Sequence, residues 1–356
     1  MKPVYLAGRA LVSVLGLNLS DAAATLHRGV SAEPTRYALR GPDNGTVPYF
    51  TIPYQAASWD ERARTLVCRA AAEAKADSAR QGALFIATSA LVTDAAESEL
   101  LKMDFDGLSK RIAAWLDWQG PVFLVSTACT SSITALLSAV ELLRSGAVSD
   151  ALVLGIELDN QFTVAGFAAL QLLTQSTSKP FGLARDGLML GEAVAALRLS
   201  THEMATWKVV GGANVVDGTQ PTGASEAAVT EMCRRAMAVS EIQSNQIDLI
   251  KVQAAGSPIN DSVEAAGLRK AFGDLPSLVS LKHAIGHCMG ASGAAEIALL
   301  LTCLEQCVWP ICPDMADPAL GVALAENAPD AVTYLMAIVL GFGGGHAAVV
   351  LEQTQL

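Results

Sequence analysis

Short apolar runs alternate with segments of helical periodicity along the whole chain, and this alternation constrains the fold most. Runs this short and this rich in Val, Ile and Leu predict strands buried on both faces. They lie at 83–88, 122–125, 151–156, 193–199, 247–252, 336–340 and 347–351. Helical spacing of apolar residues predicts one helix between 125 and 151 and a second over 292–307. A strand, helix and strand in this order form a βαβ unit with parallel strands, so we predict an α/β fold.

Composition excludes several classes of protein. The chain has 356 residues, of which 51% are hydrophobic and 17% are charged, which excludes a disordered chain. At roughly 150 residues per domain this length predicts about two domains or two halves. The net charge is −11 and there is no run of Lys and Arg, so we do not expect nucleic acid as a partner.

Hydropathy and cysteine usage address the compartment. The most apolar stretch, 297–304, is bracketed by Glu296 and Glu305 and is too short to span a membrane. Residues 1–8 read as a strand that turns at Gly8 and lack the features of a signal peptide. The seven cysteines are an odd number and are scattered along the chain, so we expect free thiols and a cytoplasmic location. The cluster at 303, 307 and 312 has no CxxC pair, so we interpret it as helical core cysteines rather than a zinc site.

The two halves of the chain resemble each other weakly. Gly187 to Glu192 precede the strand at 193, and Gly341 to His346 precede the strand at 347. We therefore predict a duplicated α/β unit, with an N-terminal half over 1–203 and a C-terminal half over 204–356.

Cys129 is the first candidate for chemistry. It lies in the segment 126–132, where an apolar strand ends and a helix begins at or just after the cysteine. Free backbone N–H groups and the helix dipole at such a position lower a thiol pKa. The alternative is a buried core cysteine without function.

Two further segments complete the candidate site. Lys282 and His287 lie in a glycine-spaced segment before the second long helix, and together they can polarise a carbonyl or hold an anion. The alternative is a solvated lysine and a hydrogen-bonded histidine. The glycines around Phe342 permit close approach of the backbone to a ligand, and Phe342 itself is either a mobile gate or a plug for the core.

These three segments, in this order and at these distances, resemble the β-ketoacyl-acyl carrier protein synthases. The segments 179–181, 185–187 and 191–192 resemble the family's arginine, aspartate and glycine stretch ahead of a strand. Gly166 and Phe167 resemble its acyl-pocket phenylalanine segment. The resemblance extends from about residue 83 to 351 and implies a thiolase-like fold, with two duplicated halves in five layers of helix, sheet, helix, sheet and helix.

The resemblance also implies roles for individual residues. In this family a cysteine accepts the acyl chain as a thioester, and two histidines stabilise the enolate formed when malonyl loses carbon dioxide. Cys129 matches the nucleophile, and Lys282 and His287 match the family's lysine and second histidine. Phe342, with Gly343 beside it, matches the gate, and the N–H groups of Phe342 and Cys129 would form an oxyanion hole. Phe167 would line the acyl pocket, and no cofactor or metal is implied.

One position departs from the family pattern. Residues 253–258 match the segment that normally carries the first histidine, followed by Asp261 and Glu264, and Ala255 occupies the histidine's position. A methyl group cannot donate a hydrogen bond, and losing one such donor costs on the order of 10²–10³ in rate. His283 and His346 are the candidates for compensation, although an extended segment would point His283 away from Lys282.

This departure favours a partner subunit. We expect a chain length factor-like subunit, closest to those of aryl polyene pathways, that pairs with an active ketosynthase and shapes the acyl tunnel. The expected second partner is acyl carrier protein with acyl and malonyl groups on phosphopantetheine. The alternative is a stand-alone homodimeric synthase or acyltransferase acting through Cys129. A degradative thiolase is disfavoured, because the glycine segment holds Phe342 and no second cysteine. The family's dimer interface would lie near 122–125.

Overall fold

Helices and strands alternate along the chain in the computed structural model, which describes residues 2–29, 32–39, 45–89, 105–219 and 222–354. In chain order the main elements are β1 (Val4–Ser13), α1 (Leu19–His27), β2 (Thr35–Ala38), β3 (Thr46–Phe50), α2 (Trp59–Glu73), β4 (Ala83–Ala87), α3 (Phe105–Trp115), β5 (Val122–Val125), α4 (Ser131–Ser145), β6 (Asp150–Glu157), α5 (Gln161–Ala169), β7 (Leu190–Gly191), β8 (Ala193–Ser200), β9 (Trp207–Val216), α6 (Glu226–Ser240), β10 (Leu249–Lys251), α7 (Pro258–Phe272), β11 (Ser277–Val279), α8 (Lys282–Ile285), α9 (Ser292–Glu305), β12 (Tyr334–Leu340) and β13 (Gly345–Gln353).

Ten of these strands form one sheet whose two halves mirror each other. The order is β11-β10-β12-β13-β9-β1-β8-β6-β4-β5, and β2, β3 and β7 form a small second sheet. In the first half β4 runs parallel to β5 and β6, and in the second half β10 runs parallel to β11 and β12. The halves meet where β1 pairs antiparallel with β9. The predicted boundary near residue 203 lies between β8 and β9.

Alternate strand residues face different helices, which produces five layers. On one face of β4, β6 and β8 the side chains pack against α2 and α3. The other face packs against α4 and α9, together with the inner face of β12 and β13. The outer face of β12 and β13 packs against α6 and α7. Helix, sheet, helix, sheet and helix therefore follow one another, and the α/β prediction is confirmed.

The structure corrects the sequence interpretation at several elements. β1 does not turn at Gly8 but continues to Ser13, with a register shift against β8 between Leu6 and Gly8. The second long helix ends at Glu305, and it is buried on all sides from Ser292 to Cys303, because it lies between the two halves of the ten-stranded sheet. None of the helices in the described ranges is long and apolar enough to cross a membrane.

The cysteine cluster is only partly in the core. Cys303 is buried in α9, as predicted, whereas Cys307 is exposed just beyond the helix and Cys312 is half-buried in the following segment. The interpretation of all three as helical core residues is therefore wrong for two of them. The helix ends earlier than the apolar pattern predicts.

A buried ion pair joins the outer helix α2 to the chain ahead of β8. Arg62 binds both carboxylate oxygens of Glu192, at 2.6 and 2.7 Å, and the Glu192 side chain is fully buried. The carboxylate also accepts from the N–H groups of Ile52, at 2.6 Å, and Asp159, at 2.8 Å. Four donors converge on one carboxylate, so this side chain holds three segments of the first half together.

We predict that Glu192→Gln lowers the free energy of unfolding by about 3–5 kcal/mol, because it removes the closer counter-charge of the buried Arg62 guanidinium and leaves only Asp159, 3.5 Å away. Urea unfolding followed by circular dichroism measures this. The control is Arg111→Met, which breaks the exposed pair with Asp60 and should cost less than about 1 kcal/mol. Equal losses in the two variants would contradict the prediction.

Candidate active site

The chain makes a strained turn at Cys129. β5 ends at Val125, α4 begins at Ser131, and Ala128 between them has a φ of +52°. Backbone in this left-handed region costs about 1–3 kcal/mol for a residue other than glycine, and such strain clusters at functional sites. Ser131 stabilises the turn, since its Oγ accepts from Thr127 N at 2.9 Å and donates to Ala128 O at 2.6 Å. The turn leaves Cys129 in the central layer with 4% of its surface exposed.

His287 contacts the thiol directly. Its Nε2 lies 3.1 Å from Cys129 Sγ, although the two residues are far apart in sequence. On the other side of the ring, Nδ1 lies 3.2 Å from Lys282 Nζ and 3.0 Å from Ser292 Oγ. The structure thus brings together Cys129, Lys282 and His287, the three residues that the sequence analysis selected.

Two charged residues behind this group were not predicted from the sequence. Glu296 on α9 binds Lys282 through one carboxylate oxygen and Lys251 through the other, the latter at 2.8 Å. All three side chains are fully buried. A signal was present, because Lys251 interrupts an apolar strand and Glu296 begins the most apolar stretch of the chain. Charges within such runs must be paired when they are buried.

The hydrogen bonds determine the tautomer of His287. The ammonium group of Lys282 is a donor only, so Nδ1 of His287 is the acceptor and the ring proton is on Nε2. Burial, with the charges of Lys282 and Lys251, holds the pKa of His287 well below its usual range. His287 is therefore a neutral ring that presents an N–H to the space beside Cys129.

The expectation of a lowered thiol pKa is wrong. Burial raises the pKa of Cys129 to about 11, and the carboxyl group of Glu157 adds to the rise. Backbone N–H groups of Phe342 and Cys129 and the charge of Lys282 act in the opposite direction without outweighing burial. The helix begins two residues after the cysteine and does not offset the effect of burial. Because the pKa of Cys129 is near 11, the free thiol is protonated at neutral pH.

The glycine segment lies against both Cys129 and the acyl-pocket candidate. The rings of Phe342 and Phe167 stack with centroids 5.2 Å apart and planes 14° apart. Gly344 has a φ of +78°, and a Cβ there would lie 1.7 Å from Asp217 O, so only glycine fits. Gly343 beside it has a φ of +79° and is exposed. Phe342 thus reaches the thiol through its backbone N–H and Phe167 through its ring.

Ala255 lies in apolar surroundings. It is 4% exposed and packs with Val164, Leu190 and Met289. Its N–H and those of the next two residues donate to Asp261, whose pKa is raised by burial to about 6. At the position where the sequence resemblance predicts a missing imidazole, the structure has a methyl group in a small apolar cluster.

Neither of the other candidate histidines hydrogen-bonds to this site within the part of the chain described. His283 lies in α8, so the segment is helical and not extended, and its ring lines a surface cleft with Trp309 and Pro310. His346 shares a face of β13 with Ala348 and Val350, which pack in the outer layer. Both of its ring nitrogens are buried and lack a hydrogen-bond partner among the described residues.

Comparison with known proteins identifies the family. The model of the β-ketoacyl synthase N-terminal domain matches residues 59–205, and that of the C-terminal domain matches residues 204–315. The chain belongs to the β-ketoacyl synthase family. Cys129 lies in the part that matches the N-terminal domain, and Ala255, Lys282 and His287 lie in the part that matches the C-terminal domain.

Curated members of the β-ketoacyl synthase family share modest identity with the chain. A putative polyketide β-ketoacyl synthase 1 of Streptomyces virginiae is 30% identical over 67% of this chain and 61% of its own length. Nodulation protein E of Rhizobium meliloti is 26% identical over 68% of this chain and 64% of its own length. The match therefore spans less than two thirds of the length of these relatives.

Solved structures confirm the thiolase-like fold expected of a β-ketoacyl synthase. A structure of the ketosynthase ApeO in complex with its chain length factor ApeC, from Xenorhabdus doucetiae, matches with a TM-score of 0.85 at 24% identity. That match covers 99% of this chain and 98% of the other. A β-ketoacyl synthase from Burkholderia phymatum matches with a TM-score of 0.84 at 20% identity over all of both chains.

We predict that alkylation of Cys129 by iodoacetamide accelerates about tenfold per pH unit between about pH 6 and pH 9, because only the thiolate reacts and the pKa of Cys129 is near 11. Mass spectrometry of the Cys129 peptide measures the rate, and the exposed Cys307 reports on the reagent in the same sample. A plateau below pH 8 would show that the thiolate has already formed.

Proposed function

We propose that this chain is a chain length factor-like subunit that pairs with an active ketosynthase and shapes its acyl tunnel. The observation that carries the proposal is the apolar environment of Ala255, together with the assembled thiol, imidazole and lysine group. The site retains what accepts an acyl chain and lacks one donor that would stabilise an enolate. We assign type II polyketide or aryl polyene biosynthesis as the setting, in keeping with the relatives and the resemblance described above.

Acylation of Cys129 remains chemically possible. The Cys129 sulfur would attack the thioester carbonyl of an acyl group carried on phosphopantetheine, and the pantetheine thiol would leave. The proton that Cys129 loses is the one that the leaving thiol gains, so the exchange is balanced. The N–H groups of Phe342 and Cys129 both reach the sulfur, and they are suited to stabilise the tetrahedral oxyanion. Phe167, stacked on Phe342, would begin the acyl pocket.

Decarboxylative condensation is the step that this chain would perform poorly by itself. The enolate needs donors on both sides of its oxygen, and His287 supplies only one. Ala255 supplies none, and its neighbours Val164, Leu190 and Met289 are apolar. Losing one donor of this kind costs on the order of 10²–10³ in rate, so a partner with both histidines would carry out the condensation.

The edge strand β5 suits the partner. Within the described ranges only β4 pairs with it, so its outer edge is open to another strand. Phe123 on this strand is 41% exposed and stacks on Phe85 at 4.8 Å. An exposed strand edge that carries an aromatic side chain is a surface to which a second subunit can add a strand. The net charge of −11 suggests that an acidic acyl carrier protein would dock mainly on the partner.

A second function remains supported by one observation. The contact of 3.1 Å between Cys129 and His287 is what a stand-alone homodimeric synthase or acyltransferase would retain. Such an enzyme would transfer acyl groups through Cys129 and elongate them slowly.

We predict that Cys129→Ala leaves product formation within about twofold of wild type when a ketosynthase with both histidines is present, because the partner performs the chemistry. The test combines the chain, that ketosynthase and acyl carrier protein, with product measured by mass spectrometry. The same instrument shows whether Cys129 of the wild-type chain becomes acylated. Complete loss of product from an assembled complex would favour the acyltransferase alternative.

We also predict that Phe123→Lys weakens association with the ketosynthase by about tenfold or more, because it places a charge at the centre of the proposed interface. Light scattering during size-exclusion chromatography over a dilution series measures this. Val239→Lys on the distant helix α6, where Val239 is 50% exposed, is the matched control. Unchanged association in a folded Phe123→Lys variant would place the interface elsewhere.

A further inference from the structure

Lys251 is a fully buried cation, and no step proposed above uses it. It is the last residue of β10, in the interior of the sheet. Its ammonium group donates to Glu296 Oε2 at 2.8 Å and to the carbonyl of Ile338 at 2.7 Å. A buried lysine is costly unless it is paired, so its presence here calls for a reason.

Glu296 divides its two carboxylate oxygens between two lysines. Oε2 binds Lys251, and Oε1 binds Lys282. Lys282 Nζ also lies 3.2 Å from His287 Nδ1 and 3.1 Å from Ser292 Oγ. A continuous series of contacts therefore runs from Lys251 through Glu296, Lys282 and His287 to Cys129.

We propose that Lys251 is a positioning residue: it fixes the Glu296 carboxylate so that Oε1 holds Lys282 against His287 Nδ1, and His287 then presents Nε2–H towards Cys129. Without Lys251 the carboxylate could turn both oxygens towards Lys282 and draw the ammonium group away from the ring. Nδ1 would then be free to carry the proton and donate it to Ser292 Oγ, which lies 3.0 Å away. In that tautomer Nε2 has no proton to offer.

The charges around His287 also favour the neutral ring that the geometry of the contacts requires. Two ammonium groups face one carboxylate, and this excess of positive charge disfavours an imidazolium at His287. The other titratable groups around the series are Glu264 and Asp261 on α7, Glu157 on β6, and Cys288. Burial raises the pKa of Glu264 to about 8, of Glu157 to about 7 and of Asp261 to about 6. Glu264, the nearest of these to Lys251, is therefore mostly protonated at neutral pH and cancels little of the excess.

The inference rests on the proposed function for its meaning. With Ala255 in place of the first histidine, His287 is the only imidazole donor left beside the thiol. A residue that keeps His287 in its donor tautomer then decides whether the site can stabilise negative charge at all.

The test is the tautomer of His287 in the full-length chain, read from the 15N shifts of its ring nitrogens after selective labelling of histidine. The chain has five histidines, and the spectrum of His287→Asn assigns the signal. We expect wild type to show only the Nε2–H form. Lys251→Gln keeps a donor for the Ile338 carbonyl and removes the charge, so the Nδ1–H form should rise to about a tenth of the molecules or more. Lys251→Arg keeps the charge and should retain the wild-type signal.

Three results would overturn the proposal: an Nδ1–H ring in wild type, a pure Nε2–H ring in folded Lys251→Gln, or a Lys251→Arg variant that behaves like Lys251→Gln. Circular dichroism establishes folding. If Lys251→Gln does not fold, an Nδ1–H ring in wild type or in Lys251→Arg would still overturn the proposal, and Lys251→Met then takes the place of Lys251→Gln as the variant without the charge. The measurement needs neither a partner nor acyl transfer, so failure of the proposed function would leave its outcome unchanged.

Discussion

The carboxylate of Glu296 is the interaction on which the centre of this protein depends. Helix α9 is buried between the two halves of the ten-stranded sheet, so a charge on it is kept from water. Paired with two lysines, Glu296 has a lowered pKa, although burial alone would raise it. The same carboxylate, on α9, binds Lys251 at the end of β10 and Lys282 at the start of α8, and Lys282 in turn contacts His287. Fold and site therefore share one charged group, and neither can change without the other.

The surroundings of Ala255, where we propose that a catalytic histidine is missing, are apolar and, among the described residues, hold no polar group in its place. Ala255 belongs to the buried cluster that contains Val164, Leu190 and Met289, and the N–H groups of the loop are bound to Asp261. The backbone that would present an imidazole is thus intact, and only the side chain is gone. Because a packed apolar cluster now occupies these surroundings, inserting a ring there would cost overpacking of about 1–3 kcal/mol. This part of the site is adapted to the absence of the donor.

Much of the fold could be predicted from the sequence, because buried parallel strands are short apolar runs and helices have their own period. The strands at 83, 122, 151 and 193 begin within a residue of their predicted starts. β2, β3 and β9 escaped prediction because polar residues, proline and glycine interrupt their patterns. Cys129, Lys282 and His287 could be selected from their local segments. Glu296 and Lys251 could not be paired in advance, since only the packing of α9 against β10 brings them together. The thiol pKa was predicted in the wrong direction because burial depends on the whole fold and outweighs the local helix terminus.

The buried charges of Lys251, Glu296 and Lys282 indicate why the proposed subunit would have a thiol at this site. Burying three charges is expensive, and well-packed apolar residues in their place would often be as stable or more so. Replacing Lys251, Lys282 and Glu296 together by apolar residues of similar volume would therefore not lower the stability of the fold. Their continued pairing, directed through His287 at a cysteine with its own strained turn, is more consistent with a site that still handles an acyl group. Under the proposed function such a site would receive and hold a chain while the partner carries out the condensation, which would separate acyl binding from carbon–carbon bond formation within one family fold.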